Sequence, residues 1–353
     1  MNDSIDISPG DISPGDISPN IGLDLVRATE ASALAAGRWT GLGRPNEAER
    51  VGTEAMVRVL QRINMDGAVV LGEAERTSLG PDVAIATGQR LGTGRGPAVD
   101  VLAKALEGSR LLAGGYPGAL AAVAVAPAGS ILTPPGVHYM EKIVVNQEVA
   151  SALVPECLDA PAAWTLALVA RAKRKQVRDL IVFVLDRPRH TDLVAEIRAA
   201  GAHVLLRSGG DLAGALMAGL RDCQADLLMG TGGVVQGLLA ACAVKAAGGA
   251  MLGRLAPQSP EEEAILRAGP PEVRGIRTLD DMVKGKIAFF SATAITDGPL
   301  LHGVHYHGIR AESNSIIMRA ELGVRRIIQT EHWLTDEGRD GPEAPSGDKG
   351  KQR

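Results

Sequence analysis

The chain of 353 residues carries a formal net charge of −4, so it can bury a sizeable core and lacks the basic excess that a nucleic-acid partner requires. No apolar run reaches membrane-spanning length and no basic-then-apolar leader opens the chain, which argues against a membrane partner and makes a cytoplasmic location the expectation. Three widely spaced cysteines, Cys157, Cys223 and Cys242, form no redox or metal pattern; they read as small buried hydrophobes in a reducing compartment.

Residues 6–20 repeat Asp-Ile-Ser-Pro-Gly twice and end on Asp-Ile-Ser-Pro-Asn, a proline-punctuated leader expected to be disordered. Ordered structure is expected from about residue 22, with an amphipathic helix over 23–39, a glycine-rich break over 41–46 and a second helix over 47–63. Met65-Asp-Gly reads as a turn and 68–71 as a short buried strand ending at Gly72-Glu-Ala-Glu75. Residues i and i+2 of an extended segment share a face, so Glu73 and Glu75 project together. Such paired acids suit metal or acid–base chemistry, and equally two solvated loop carboxylates.

Gly92-Thr-Gly-Arg-Gly96 then leads into the stretch 99–113. At its centre Glu107-Gly108-Ser109 sets a carboxylate, a permissive turn and a hydroxyl side by side, which suits a cation beside a phosphate. Lys104 stands three residues earlier, where such a site prefers another acid. Strands are expected over 119–126 and 142–145, joined by a proline-rich loop that carries Tyr139-Met-Glu-Lys142.

The second half alternates strands (180–185, 203–206, 226–229) with helices (191–200, from 211, and up to 247), which predicts a parallel sheet with a binding crevice at its carboxyl edge. Three loops fall there: Arg187-Pro-Arg-His190, Gly209-Gly-Asp211 and the Gly230-Thr-Gly-Gly233 turn. Guanidinium forks and free backbone N–H groups in such loops hold phosphate. A strand over 286–291 leads to His302, His305 and His307, read as solvated hairpin histidines because no acid stands at helpful spacing, and a strand pair over 312–326 closes the fold. From residue 336 the tail has nothing to bury.

Together these residues resemble the class II fructose-1,6-bisphosphatases of the metal-dependent, lithium-sensitive phosphatase superfamily. The resemblance runs from about residue 20 to 332 through Val26-Arg-Ala-Thr-Glu30, Ala35-Ala-Gly-Arg-Trp39, Gly72-Glu73, Gly92-Thr-Gly-Arg-Gly96, Tyr139-Met-Glu-Lys142, Pro188-Arg-His190, Gly253-Arg-Leu255 and Phe290-Ser-Ala-Thr293. It implies a layered αβαβα sugar-phosphatase fold with the active site between two lobes, 21–150 and 151–335, flanked by a leader (1–20) and a tail (336–353). It implies hydrolysis of fructose 1,6-bisphosphate at the C1 phosphate with Mn2+ or Mg2+, and a homo-oligomer.

Carried over residue by residue, the resemblance assigns metal binding to Glu49, Glu73 and Glu107. It assigns substrate contacts to Glu107, Gly108, Ser109, Tyr139, Arg187, Pro188, Arg189, Gly209, Gly210, Asp211 and Gly233, with Gly209 standing where the family has a second sugar-binding aspartate. The departures concentrate at the catalytic centre. Lys104 replaces the first Asp of the hallmark, Gln236 a metal-binding glutamate, Thr77 the water-orienting aspartate and Pro45 a lysine, while Ser109 keeps the hydroxyl of a threonine. The resemblance therefore implies reduced metal occupancy. Three outcomes follow: an altered phosphatase in which Lys104, Glu75 and Ser109 act on phosphate and water; a silent paralogue that binds sugar phosphate or partners an active homologue; or a Lys104 salt bridge to Glu107 or Glu73 that holds the fold.

Overall fold

A strand with small apolar side chains on both faces is stable only between two dry layers, because neither face returns anything to water. The alanine-rich run after Gly118 has that composition. In the computed structural model, which describes residues 17–18, 20–73, 85–134, 136–321 and 323–334, it is a central strand buried along nearly its whole length.

The chain begins with α1 (Ile21–Gly37), α2 (Pro45–Leu60), β1 (Asp66–Val69), β2 (Arg90–Leu91), β3 (Ala98–Glu107), the short α3 (Ser109–Ala113), β4 (Leu120–Pro127) and β5 (Tyr139–Val145). It continues through α4 (Ala162–Lys173), β6 (Ile181–Leu185), α5 (Thr191–Ala199), β7 (His203–Arg207), α6 (Asp211–Gly219), β8 (Leu227–Gly233), α7 (Val234–Ala246) and β9 (Ala250–Leu255). The last elements are α8 (Pro260–Ala268), β10 (Arg277–Thr278), α9 (Leu279–Met282), β11 (Phe289–Ala294), β12 (His305–His307), β13 (Arg310–Arg319) and β14 (Val324–Trp333).

Two sheets result. The first runs β12-β13-β11-β4-β3-β1-β2 with β14 added on β13, and the second runs β10-β9-β5-β8-β6-β7. Along β4 the side chains alternate: Ala121, Val123 and Val125 join a core with α1 and α2, while Leu120, Ala122, Ala124 and Ala126 face the core between the sheets, which α6 and α7 fill. A third core lies beyond the second sheet under α4 and α5. The order of layers is helix, sheet, helix, sheet, helix, the predicted αβαβα arrangement. Small side chains let α1 lie close on the sheet. Beneath it the Thr293 hydroxyl bonds Thr29 at 2.7 Å and lies 2.8 Å from that of Ser315, so these buried hydroxyls satisfy one another.

Several expectations are corrected. In the second sheet the parallel pairs among the described residues are β6–β7 and β6–β8, while β5 lies antiparallel between β8 and β9. The βαβ alternation sets the direction of successive strands, not which strand fills the space between two of them. Residues 230–233 are no turn but the end of β8, in register with β5 as far as Tyr139↔Gly233. Asp66 and Gly67 belong to β1 rather than to a turn.

The histidines are exposed, as expected, but the fold brings Asp297 to 3.3 Å from His305, so an acid does stand beside them. The sheets also cut across residue 150: β5 precedes it yet belongs to the second sheet, and β11–β14 return to the first. Most of the leader and all of the tail from 335 lie outside the described residues, although Ile17 at the end of the repeat is buried in the core under α1. Cys157 and Cys242 are buried and Cys223 partly so. Among the described residues no helix is long and apolar enough to cross a membrane.

Tight packing in the central layer is testable at Gly214 on α6. A Cβ there would lie 2.3–2.5 Å from three ring carbons of Phe183. Gly214→Ala is expected to destabilise the fold by about 1–3 kcal/mol through overpacking, seen as a lower urea midpoint at unchanged slope.

Candidate active site

Lys104 lies two residues beyond Leu102 on β3, so it shares the face that looks toward the second sheet. The last registered pair between β1 and β3 is Val69↔Val101. There the first strand leaves its partner, and the departing chain carries Glu73 to Lys104. The Lys104 ammonium donates to Glu49 Oε1 of α2 at 2.7 Å and to Glu73 Oε2. All three side chains are largely buried, 13–16% exposed. Burial alone would push the ammonium toward its neutral form; Glu73 and then Glu49 outweigh that and hold its pKa above the usual lysine range. Gln236, on the first turn of α7, adds an amide hydrogen to the other oxygen of Glu73 at 3.0 Å.

A second ion pair stands beside the first. Lys142 on β5 is 1% exposed and donates to Asp211 Oδ2 at 2.8 Å. Room for the pair comes from Gly232 on the neighbouring strand, where a Cβ would lie 1.9 Å from that oxygen. The Asp211 backbone N–H donates to Glu107 Oε1 at 3.0 Å, which ties the end of β3 to the start of α6. Both short turns here need a left-handed residue, and both have glycine: Gly108 at φ +83° and Gly210 at φ +82°. Glu107 is buried, and its Oε2 has no hydrogen-bond partner among the described residues. Burial, then the nearby Asp211 charge, raises its pKa to about 7.

The third cluster gathers Arg189, Tyr139 and His190 around the end of β8. The Arg189 guanidinium grips the Thr231 carbonyl through two N–H groups at 2.9 and 3.2 Å and lies 5.1 Å from the centre of the Tyr139 ring. Buried His190 braces this loop: Nδ1 meets the Leu185 carbonyl at 2.7 Å, so it carries the proton, and Nε2 accepts from the Thr231 N–H at 2.8 Å. Burial first, and then the Arg189 charge among other influences, keeps the imidazole less basic than a free histidine. Cavities flank the clusters, one of about 330 Å³ against Glu73 and Val234 and one of about 160 Å³ against Gly209 and Gly210.

The fold thus brings together Glu49, Glu73 and Lys104; Glu107 and Asp211; and Tyr139, Arg189 and Gly233. Gly108 and Ser109 start α3 at the second cluster, and Pro188 opens the turn before Arg189. Arg187 folds back instead, donating to the Asp186 carbonyl at 2.7 Å. Glu75 and Thr77 lie outside the described residues. The salt bridge expected from Lys104 forms with Glu73 and with Glu49, not with Glu107. Sequence reasoning gave no role to Lys142 or to His190. A lysine in an otherwise apolar strand was the available signal for Lys142, but only the pairing of β5 with the glycines of β8 supplies its partner.

Layered sheets with acids and arginines gathered at one end define an α/β protein of the layered phosphatase type. Comparison with known proteins narrows this. The family model for bacterial fructose-1,6-bisphosphatase, glpX-encoded, matches residues 19–332, and the chain belongs to that family. It is 33% identical over 327 residues to the fructose-1,6-bisphosphatase 1 class 2 of Escherichia coli K12, covering 89% of this chain and 95% of that protein. Equal similarity and coverage relate it to the fructose-1,6-bisphosphatases class 2 of Escherichia coli O6:H1 and Shigella flexneri.

The raised Glu107 pKa has a signed consequence. The folded chain holds this proton up to about pH 7, whereas the unfolded chain releases it near the ordinary value of 4.5. Stability from this group is therefore complete below the unfolded pKa and falls as pH rises toward 7. Glu107→Gln is expected to flatten that fall in urea titrations between pH 5 and about 7.5, with an effect on the order of 3 kcal/mol at the upper end.

Proposed function

We propose that this chain is a fructose-1,6-bisphosphatase-like protein that binds a sugar bisphosphate with the Lys104 ammonium in the position of a divalent ion, and that turns it over slowly. The observation that carries this reading is the ammonium held between Glu49 and Glu73. The residues present do not fit the Mn2+ or Mg2+ that the resemblance implies. A divalent ion about 4 Å from that ammonium would be repelled by roughly 8 kcal/mol at an effective dielectric near 20. Gln236 also presents Glu73 with an amide hydrogen where an ion needs a lone pair. Among the described residues, no three His, Cys, Asp or Glu side chains are grouped to hold an ion.

The site retains what a polyhydroxylated anion needs. Glu107 Oε2 and Gln236 Oε1 are buried acceptors without partners among the described residues. Each such atom costs about 1–3 kcal/mol until a donor arrives, and sugar hydroxyls are donors of that kind. Arg189 beside Tyr139 supports phosphate recognition. Hydrolysis is less well served, because the ammonium lies between two carboxylates and the trio carries one net negative charge. Developing negative charge on a transferring phosphoryl group therefore gains little there. The Gln236 contact favours a second reading, a silent paralogue that binds without turnover; Ser109 and Glu75 are the hydroxyl and carboxylate through which residual turnover would run.

Calorimetric titration with fructose 1,6-bisphosphate is expected to give the same affinity in EDTA as in Mn2+. Phosphate release should fall about 100-fold or more below that of the Escherichia coli relative assayed alongside. Binding abolished by EDTA, or turnover with Mn2+ equal to the relative's, overturns the proposal; binding with no release at all selects the silent reading.

Lys104→Met leaves Glu49 and Glu73 facing each other and is expected to cost about 3–5 kcal/mol of stability, measured by urea unfolding. Lys104→Asp combined with Gln236→Glu should instead create Mn2+-dependent thermal stabilisation that the native chain lacks.

A further inference from the structure

The cavity of about 160 Å³ against Gly209 and Gly210 contains none of the charged residues of the three clusters in its walls. Its lining is apolar: Leu111 of α3, Phe183 of β6, and Ala213 and Met217 of α6, all of them buried. Tyr116 also lines it and is 62% exposed, which places that ring at the mouth.

The space exists because residue 209 carries no side chain. A Cβ there would lie 3.2 Å and 3.3 Å from Cγ and Cδ1 of Leu111, so any longer side chain would be built toward that wall. The backbone itself does not demand glycine at 209, unlike Gly210 at φ +82°. Room, and not a turn, is what the residue provides.

One cation faces this room. Arg207, at the end of β7, lines the cavity, and among the described residues its guanidinium has no hydrogen-bond or ion-pair partner. The arginines that follow the adjoining β6 are engaged, Arg187 by the Asp186 carbonyl and Arg189 by that of Thr231. An unengaged guanidinium at a dry apolar wall selects an anion with an apolar body. A hydroxylated body would strand its hydroxyls against Leu111, Phe183 and Met217. A dry cavity of about 150 Å³ lined by leucine, isoleucine and phenylalanine holds one benzene ring, and Phe183 and Tyr116 add the ring-to-ring contacts that an aliphatic group of equal size forgoes.

We infer that this cavity is a binding site for a small aromatic anion, with the ring among Leu111, Phe183 and Met217 and the anionic group on Arg207. It is a separate site from the sugar-phosphate crevice and does not depend on what that crevice binds.

Calorimetric titration of the full chain in EDTA with phenylphosphonate, which has no ester bond to hydrolyse, is expected to show saturable binding. Methylphosphonate keeps the charge and lacks the ring, and should bind about tenfold more weakly or worse. Arg207→Met should weaken phenylphosphonate by about tenfold or more. Ala213→Leu, which fills the cavity, should abolish its binding, with thermal unfolding as the check that the variant folds; if it does not fold, Arg207→Met decides. Arg189→Met should leave the phenylphosphonate affinity unchanged. No binding of phenylphosphonate, equal affinity for methylphosphonate, or indifference to Arg207→Met overturns the inference. So does a loss on Arg189→Met, which would put the anion in the sugar-phosphate crevice instead.

Discussion

An ammonium buried away from water persists only where carboxylates surround it, and Lys104 meets two of them at the end of β3. The contact ties together parts of the chain far apart in sequence. Glu49 belongs to α2, Glu73 to the segment leaving β1, and Gln236, which holds Glu73 from the far side, to the first turn of α7. These elements belong to different layers, so the helix outside the first sheet and the helix between the sheets meet at one charged point. Removing any one member strands a charge or a hydrogen-bonding group in a dry place, which is why the cluster acts as a joint and not merely as a site.

The neighbouring node is built on the same logic and is buried more deeply. Lys142 and Asp211 neutralise each other almost wholly out of solvent, and the Asp211 N–H reaches Glu107. Glu107 is left with one satisfied and one unsatisfied oxygen. Burial then holds the carboxyl proton up to about pH 7. The crevice therefore combines a fixed cation, a carboxyl near its titration point and an arginine–tyrosine pair braced by His190. In the proposed function this combination is what meets a polyhydroxylated phosphate, through hydrogen bonds and fixed charges.

Much of the fold was legible beforehand because period and composition report burial. The apolar spacing of α1 and α2 and the run of small residues in β4 have local causes, and those elements formed within two or three residues of the expected bounds. Glycine placement was legible for the same reason at Gly108 and Gly210, where the backbone turns left-handed. What misled was order in space. The 230–233 glycines read as a phosphate-binding turn, yet they continue β8 in register with β5, and Gly232 leaves the room that Lys142 and Asp211 fill. Likewise β5 interrupts an otherwise parallel set, since nothing local in a strand states which neighbour it will have.

By itself the sequence determined the layered α/β class and the family, because motifs and periodicities are properties of short segments. Only the tertiary structure decided whose charge answers the lysine. Glu49, Glu73 and Glu107 were equally acidic on the page; distance assigned the ammonium to the first two and left the third to Asp211. Electrostatic partnership depends on separation and burial, and neither exists until the layers have packed.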